Sequence, residues 1–436
     1  MYKFSNYNIV VEHNEDVLLY NTLSGVESIC KMPRKYKDCF STNFNSNDFD
    51  DEQIRRLCIK GFIVYDDFDE LSKLHCVAID AINNDNVLNL IINPTEKCNF
   101  RCKYCYESFD NGIMSQETQN EIINFVRHNI YKYSSLFVSW FGGEPLLAMN
   151  VIKNMSKEFM DICNKNRKTY KAGITTNGYL LNYETFETLL SMNVLNYQIT
   201  LDGYKEVHDK QRVDIHNKGT FDTIYNNLLK IKQSKKQNFI VNVRINFSRD
   251  SFNNIEKVFE TISFAESDRR FLISPHIVGN WLETIDDSMC ESLIDQNYYL
   301  LILKKIYEYP KILYIPFNFG IGGQLCYGFK KNCFHISSTG KIGKCTVAYE
   351  DTNHRVGTIR NARFEPNLTY YNWIAKFNCN YENCKFAPIC LGFLCKVINK
   401  NNVCNRRINV IEQTLKIFDK NGKINYLGEI YEKDKR

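Results

Sequence analysis

The sequence predicts an α/β protein, a partial (β/α)6 TIM-type barrel flanked by a small N-terminal module and a cysteine-rich C-terminal region. Three observations carry that expectation. Six short apolar segments alternate with amphipathic stretches between residues 87 and 309, cysteines crowd into two places, and residues 1–75 hold strands and helices of their own. At 436 residues the chain has room for two or three domains. Its 44% hydrophobic and 14% aromatic content suits packed cores, not a disordered chain.

Residues 1–75 read as a winged-helix-like module. The strand-like stretches "YNIVVE" and "DVLLYN" are followed by a helical pattern, the polar "STNFNSNDFDDE", another helix and "GFIVYDD". Residues 76–86, "CVAIDAINNDN", read as a linker. Residues 87–309 then give the strands "VLNLIIN", "LFVSWFG", "YKAGITTNG", "NYQITLDG", "FIVNVRINF" and "RFLISPHIV". Each is short and apolar, as expected of parallel strands covered on both faces. The stretches between them are helical. In "SQETQNEIINFVRHNIYKY", for example, Ile122, Ile123, Phe125, Val126 and Ile130 form one stripe. Barrels of this type place their chemistry at the C-terminal ends of strands. There stand a cysteine loop after the first strand, "GGEP" after the second and "TNG" after the third. Residues 310–412 are rich in cysteine and turn residues with weak periodicity, a pattern organised by metal more than by a core. A charged tail, 413–436, ends the chain.

A net charge of +5 is too mild and too dispersed for a nucleic-acid binder. The first residues lack a basic segment followed by an apolar one, and no apolar run is long enough to cross a bilayer. A cytoplasmic protein with no nucleic-acid or membrane partner is expected. Seventeen cysteines in a reducing compartment then point to metal or redox chemistry. Cys30, Cys39, Cys58, Cys76, Cys163 and Cys290 are scattered singly and read as ordinary small buried residues.

The first group, "CNFRCKYC" (98–105), places Cys98, Cys102 and Cys105 at C-x3-C-x2-C spacing. Thiolates are soft ligands for zinc or iron–sulfur clusters. A structural zinc wants a fourth protein ligand, and the next histidine, His128, lies inside a predicted helix. A cubane held by three cysteines instead leaves one iron open to a substrate or cofactor.

These residues resemble the signature of the radical S-adenosylmethionine (SAM) enzymes. The resemblance implies a 4Fe–4S cluster whose open iron chelates SAM, and a 5′-deoxyadenosyl radical that abstracts hydrogen. It extends along the chain. "FGGEP" resembles the family's glycine-rich motif, which makes Gly142, Gly143 and Glu144 candidates for SAM binding. "TTNGYLL" and "ITLDG" match family strand ends and bring in Asn177, Thr200 and Asp202. "HDKQR" and "VRINF" make Arg212 and Arg244 candidates for the SAM carboxylate, and Tyr104 resembles the position whose backbone faces the adenine. These motifs follow successive predicted βα units in the family's order.

The second group reads C326-x6-C333-x11-C345, then C379-x4-C384-x5-C390-x4-C395-x8-C404. Eight cysteines fit two four-ligand cubanes, or zinc ribbons. The pattern resembles the SPASM domain of radical SAM maturases, with Gly340 five residues before Cys345. By that resemblance Cys326, Cys333, Cys345 and Cys395 hold one auxiliary cluster, and Cys379, Cys384, Cys390 and Cys404 the other, for three 4Fe–4S clusters in all. Two C-x4-C spacings depart from the commoner C-x2-C and C-x3-C.

Relatives with SPASM domains act on peptides or proteins. The expected partners are a Cys-containing precursor peptide with a leader and an electron donor such as flavodoxin or ferredoxin. Residues 1–75 resemble a peptide-recognition module, in which a leader adds a strand to a sheet edge, at "DVLLYN" or "YNIVVE". The leading expectation is a maturase of a ribosomally made peptide that forms a Cys thioether. Carbon–carbon crosslinking or epimerisation begins with the same hydrogen abstraction. The alternative is an anaerobic sulfatase maturase making formylglycine. Those enzymes carry an Asp directly after the third SPASM cysteine, where this chain has Thr346, with Glu350 and Asp351 further on.

Overall fold

Strand order in the computed structural model follows the sequence closely. It describes residues 1–83, 86–278, 296–309, 311–314, 318–375, 379, 381–382, 384–393, 395–397 and 404–427, with the side chains of 296, 297, 375 and 404–408 outside that description. Cys290 and the end of the tail, 428–436, lie outside the described residues. The chain divides into two units.

One unit comprises Met1–Asn84, Phe317–Phe329 and Lys376–Arg436. Its strands are β1 (Tyr2–Phe4), β2 (Asn8–His13), β3 (Asp16–Asn21), β4 (Cys30–Pro33) and β5 (Ile63–Tyr65). β2, β3 and β4 form an antiparallel sheet, and β1 pairs with β5. The β2–β3 hairpin turns through Asn14 at φ 55°, a left-handed position that suits Asn in a two-residue loop. β3 is buried on both faces. Leu18 and Tyr20 pack with Ile9, Val11, Ile389, Ile411 and Leu415, while Val17 and Leu19 pack with Met32, Phe49, Leu57 and Phe62. "DVLLYN" is therefore the central strand, and the expectation that it offers an open edge fails; "YNIVVE" is an outer strand. Helix Asp51–Ile59 starts at a capping box between Asp50 and Gln53. Helix Glu70–Asn83 runs through residues 76–83 of the stretch read as a linker. Its buried Glu70 accepts from the Ser5 hydroxyl and the Asn6 amide (3.0 Å), which ties it to the β1–β2 turn.

The other unit comprises Asp85–Pro316 and Lys330–Ala375. The six predicted barrel strands are present as β6 (Val87–Ile92), β8 (Ser135–Trp140), β9 (Thr169–Thr176), β10 (Val194–Thr200), β12 (Ile240–Phe247) and β13 (Phe271–Ile277). They pair in parallel in the order β13-β12-β10-β9-β8-β6. Amphipathic helices cover them. Gln116–Asn129 buries Ile122, Ile123, Phe125 and Val126, and Ile255–Ile262 buries Ile255, Val258, Phe259 and Ile262. A separate two-stranded ribbon joins β7 (Phe100–Cys102) to β11 (Arg212–Asp214).

The first part of the cysteine-rich region adds to the same sheet. β14 (Cys333–Ile336) runs parallel beside β6, and β15 (Ile342–Gly343), β16 (Arg355–Arg360) and β17 (Arg363–Pro366) continue it antiparallel. Phe334, Ile336 and Ile342 are buried there, so this stretch owes its order to a core as well as to any metal. Too few residues per strand kept that pattern below what periodicity detects.

Candidate functional site

The chain leaves β6 at Ile92 and crosses the C-terminal mouth of the barrel as the cysteine loop. Phe100, fully buried, anchors that loop, and β7 fixes its course by pairing Cys102 with Arg212. The Phe100 amide donates to Cys98 Sγ (3.4 Å) and the Cys105 amide to the Cys102 carbonyl (3.1 Å). Cys98, Cys102 and Cys105 lie within one another's electrostatic reach. Burial pushes the Cys98 and Cys105 thiols up to about 12, and raises Cys102 against the pull of Arg212. Among the described residues no three His, Cys, Asp or Glu side chains close on a single ion. In a cubane each thiolate grips a different iron, so its ligands need not close on one point.

The glycines of "GGEP" are required by the backbone beneath them. Gly142 has φ +103°, and a Cβ there would stand 2.4 Å from the Thr95 carbonyl oxygen. A Cβ on Gly143 would stand 2.4 Å from the Lys97 oxygen and 2.6 Å from the Glu96 oxygen. The turn thus lies flat on the start of the cysteine loop, and the Glu144 amide donates to the Lys97 carbonyl (2.9 Å). The Glu144 carboxylate, fully buried, accepts from the Asn177 amide (2.7 Å), the Thr176 hydroxyl (2.8 Å) and the Leu146 amide (3.0 Å). Asn177 Nδ2 in turn donates to Asn99 Oδ1 (2.8 Å). The ends of β6, β8 and β9 are thereby stitched to the loop. Burial raises the Glu144 carboxyl above its ordinary range despite these donors. Glu96 does similar work from the other side, accepting from the Ser338 amide (3.1 Å), the Ser338 hydroxyl (3.0 Å) and Asn111 Nδ2.

A second lattice fills the opposite side of the mouth. The Tyr104 hydroxyl donates to Asp202 Oδ2 and accepts from Arg212 Nη1 (2.9 Å). Asn246 gives its amide (3.2 Å) and Nδ2 (3.1 Å) to Asp202 Oδ1, and Arg244 Nε donates to Asn246 Oδ1 (2.9 Å). Burial raises the Asp202 carboxyl, and burial beside Arg244 holds His276 near 3. Thr200 ends β10 opposite Arg244. The structure thus groups Tyr104, Asp202, Arg212 and Arg244 in one network, with Glu144 and Asn177 in the other. Sequence reading missed Asn246, Asn99 and Thr176. The alternation Asn242, Arg244, Asn246 along β12 was the available signal: one polar face within a strand read as apolar on both sides. Arg212 Nε and Gln211 Oε1 are buried without a hydrogen-bond partner among the described residues.

The later cysteines sit on varied supports. Cys333 opens β14 and Cys345 follows β15, with buried Lys344 donating to the carbonyls of Lys330 (2.7 Å) and Cys333 (2.7 Å). In the other unit, Cys384 and Cys390 border one apolar cluster around Phe386, and Cys379 Sγ contacts the Gly392 carbonyl at 3.4 Å. Cys326 precedes the turn Tyr327–Phe329, and Cys395 follows Phe393 by two residues. The Cys404 side chain lies outside the described residues.

Known proteins resemble this chain in sequence and in fold. The radical SAM superfamily model matches residues 92–262. A cysteine-type anaerobic sulfatase-maturating enzyme of Clostridium perfringens is 31% identical over 348 residues, spanning 70% of this chain and 88% of that one. Among solved structures, native anSMEcpe with bound AdoMet superposes with a TM-score of 0.62 at 19% identity, covering 77% of this chain and 99% of the other. Streptococcus suis SuiB covers 92% of this chain and 99% of its own, with a TM-score of 0.50 and 16% identity.

Proposed function

The chain belongs to the radical SAM superfamily, among its peptide- and sulfatase-maturating enzymes, and from that premise we propose that it matures a ribosomally made, Cys-containing precursor peptide by forming a thioether. The observation that carries this reading is the N-terminal module. Residues 1–83 build a three-stranded sheet, a strand pair and two helices, and they group with 317–329 and 376–436 in the unit that does not hold the barrel strands. Thr346 supports it, because it stands where sulfatase maturases resembling this chain carry an Asp.

When bound, a 4Fe–4S cluster and SAM together supply a 5′-deoxyadenosyl radical. Cys98, Cys102 and Cys105 are the ligands we assign to that cluster. The buried, unpartnered Nε of Arg212 suits a carboxylate, so Arg212 would meet the methionine end of SAM beside Gly142 and Gly143. Tyr104, Asn177, Thr200, Asp202 and Arg244 would line its remaining surface, with Glu144 holding the loop in place. The eight later cysteines, Cys326, Cys333, Cys345 and Cys395 with Cys379, Cys384, Cys390 and Cys404, would hold two auxiliary clusters. In the substrate, a hydrogen atom leaves carbon, the thiol gives up a proton, and the S–C bond forms as one electron passes to a flavodoxin- or ferredoxin-class carrier.

A second reading, oxidation of a substrate cysteine to formylglycine, is favoured by the 31% identity to the sulfatase maturase. One experiment separates them. The anaerobically reconstituted chain should bind about twelve irons if three cubanes form. The Cys98/Cys102/Cys105→Ala variant should lose about four of them and all SAM cleavage. A Cys-containing precursor peptide offered as substrate should then emerge lighter by a pair of hydrogens and closed to thiol alkylation. A product that has exchanged its sulfur for a hydrazine-reactive aldehyde would select formylglycine instead.

A further inference from the structure

β4 is an outer strand of the N-terminal sheet, and the chain's own C-terminal segment is paired with its edge. The Lys31 amide donates to the Asn425 carbonyl (3.0 Å) and the Leu427 amide donates to the Lys31 carbonyl (2.8 Å), a parallel bridge centred on Lys31 and Tyr426. The side chains alternate as a strand's do. Ile424 joins the cluster of Ile9, Val11, Leu18 and Ile29, whereas Leu427 packs against the opposite cluster of Val17, Leu19, Met32 and Phe49. The Tyr426 hydroxyl donates to the Asp16 carboxylate, 3.0 Å from each oxygen, and Lys31 Nζ lies 4.6 Å from the Tyr426 ring centre.

This segment is fastened lightly compared with its neighbours. β3 holds β4 by a full ladder of pairs, but the bridge to the tail is a single register position with two backbone hydrogen bonds. It hangs from the end of helix Cys404–Lys420, which is closed independently. The Gly422 amide donates to Asp419 (2.9 Å) and the Lys423 amide to Phe418 (2.9 Å), with Gly422 at φ +65° in open space. The segment can therefore leave β4 without unravelling the helix. β2, the other outer strand, carries no such segment among the described residues.

We propose that Ile424–Leu427 is a built-in, tethered occupant of the β4 edge, displaced when an extended peptide presenting an aromatic and then an aliphatic side chain, the leader of the precursor, pairs with that strand. Sheet augmentation supplies the affinity through backbone hydrogen bonds, and the apolar cluster under Leu427 supplies selectivity. A tethered competitor of this kind lowers the apparent affinity of every incoming strand, so only a well-matched leader opens the site. The identity of the displacing peptide rests on the precursor reading above; the self-occupied edge does not.

The probe is a fluorescein-labelled synthetic peptide with the sequence of Lys423–Glu432. In the full chain, Leu427→Pro removes both the amide that donates to Lys31 and the aliphatic anchor. That variant should bind the probe at least about tenfold more tightly than the unaltered chain does; equal binding would overturn the proposal. On the unaltered chain, hydrogen exchange gives a second measurement. Adding a Cys-containing precursor peptide with its leader should speed exchange at the Leu427 amide while the Lys31 amide stays slow. If that peptide is bound and modified while Leu427 remains protected, the docking edge is wrong and the maturase reading stands. If the probe binds Leu427→Pro but the precursor peptide is neither bound nor modified, the edge stands and the maturase reading falls.

Discussion

The early cysteines Cys98, Cys102 and Cys105 and the late ones Cys379, Cys384, Cys390 and Cys395 are supported in different ways. Around Cys98, Cys102 and Cys105 the polypeptide itself builds the site. A β-ribbon sets Cys102, two glycines let a turn lie on the loop, and buried Glu96 and Glu144 between them accept six hydrogen bonds. Cys379, Cys384, Cys390 and Cys395 have one short helix of their own among the described residues, Ala387–Cys390, seated on the apolar cluster of Ile9, Val11, Leu18 and Ile411. On the assignment proposed above, a cluster with one iron left open would gain from a loop that the protein has already shaped. A site in which protein thiolates took every iron would leave more of that work to the metal.

Removing metal should expose that contrast most strongly. In metal-organised small folds the ion contributes on the order of 10 kcal/mol of folding free energy. Anaerobic chelation should therefore abolish hydrogen-exchange protection of the Cys384, Ala387 and Phe393 amides, which now donate to Tyr381, Cys384 and Cys390. The Lys103 and Cys105 amides, bonded to Gln211 and Cys102, should stay protected within about threefold. Equal loss in both places would mean that the barrel loop is no more pre-formed than the later cysteines.

Next in size is Glu144. Truncation by Glu144→Ala strands three buried donors, at a cost of about 3 kcal/mol or more in the denaturation free energy of the metal-free chain. Glu144→Gln keeps the oxygen shared by Thr176 and Leu146 but turns an NH2 towards the Asn177 amide, so about 1–3 kcal/mol is expected. If the alanine variant is as stable as the parent, the carboxylate does not hold the loop.

Acid titration probes the same lattice. His276 is held near 3 in the fold against an ordinary 6.5, chiefly by burial. Between those values the unfolded chain takes up a proton that the folded chain refuses, so stability falls as pH drops through that window, by up to roughly 1.4 kcal/mol per pH unit. The raised carboxyls of Glu144 and Asp202 act in the opposite direction. The difference between the parent and His276→Gln isolates the histidine: the variant should lose less stability on acidification from pH 6.5. Parallel curves would remove His276 from the account.

The barrel strands were legible because each is a separate apolar run of ordinary length, and the glycine pair was legible because it ends one of them. β14 to β17 were not, since strands as short as Ile342–Gly343 carry no period and depend for partners on β14, itself laid along the edge of β6. The misassigned edge in the N-terminal module has the same origin. Strand order is a long-range property, and "DVLLYN" looks no different from an outer strand until both neighbours are placed. Within the site, cysteine spacing announced the loop. The Tyr104–Asp202–Arg212 network joins residues about a hundred positions apart, which no local pattern reveals.

The smallest effect expected is also the most discriminating within the mouth of the barrel. Tyr104→Phe deletes one oxygen, leaving Asp202 Oδ2 without its phenol donor and Arg212 Nη1 without its acceptor. Both groups are buried, and Asn246 continues to serve Asp202, so the cost to stability should be about 1–2 kcal/mol. The cysteine loop keeps its own supports, Glu96, Glu144 and the β7–β11 ribbon, so iron content should not change. Arg212, however, loses one of the contacts that fix its guanidinium, and SAM affinity should fall by up to about tenfold, the equivalent of 1.4 kcal/mol. Iron analysis and equilibrium dialysis with SAM on the same preparation measure both quantities. If iron falls together with SAM affinity, the phenol belongs to the scaffold of the cysteine loop, and the mouth holds one lattice instead of two.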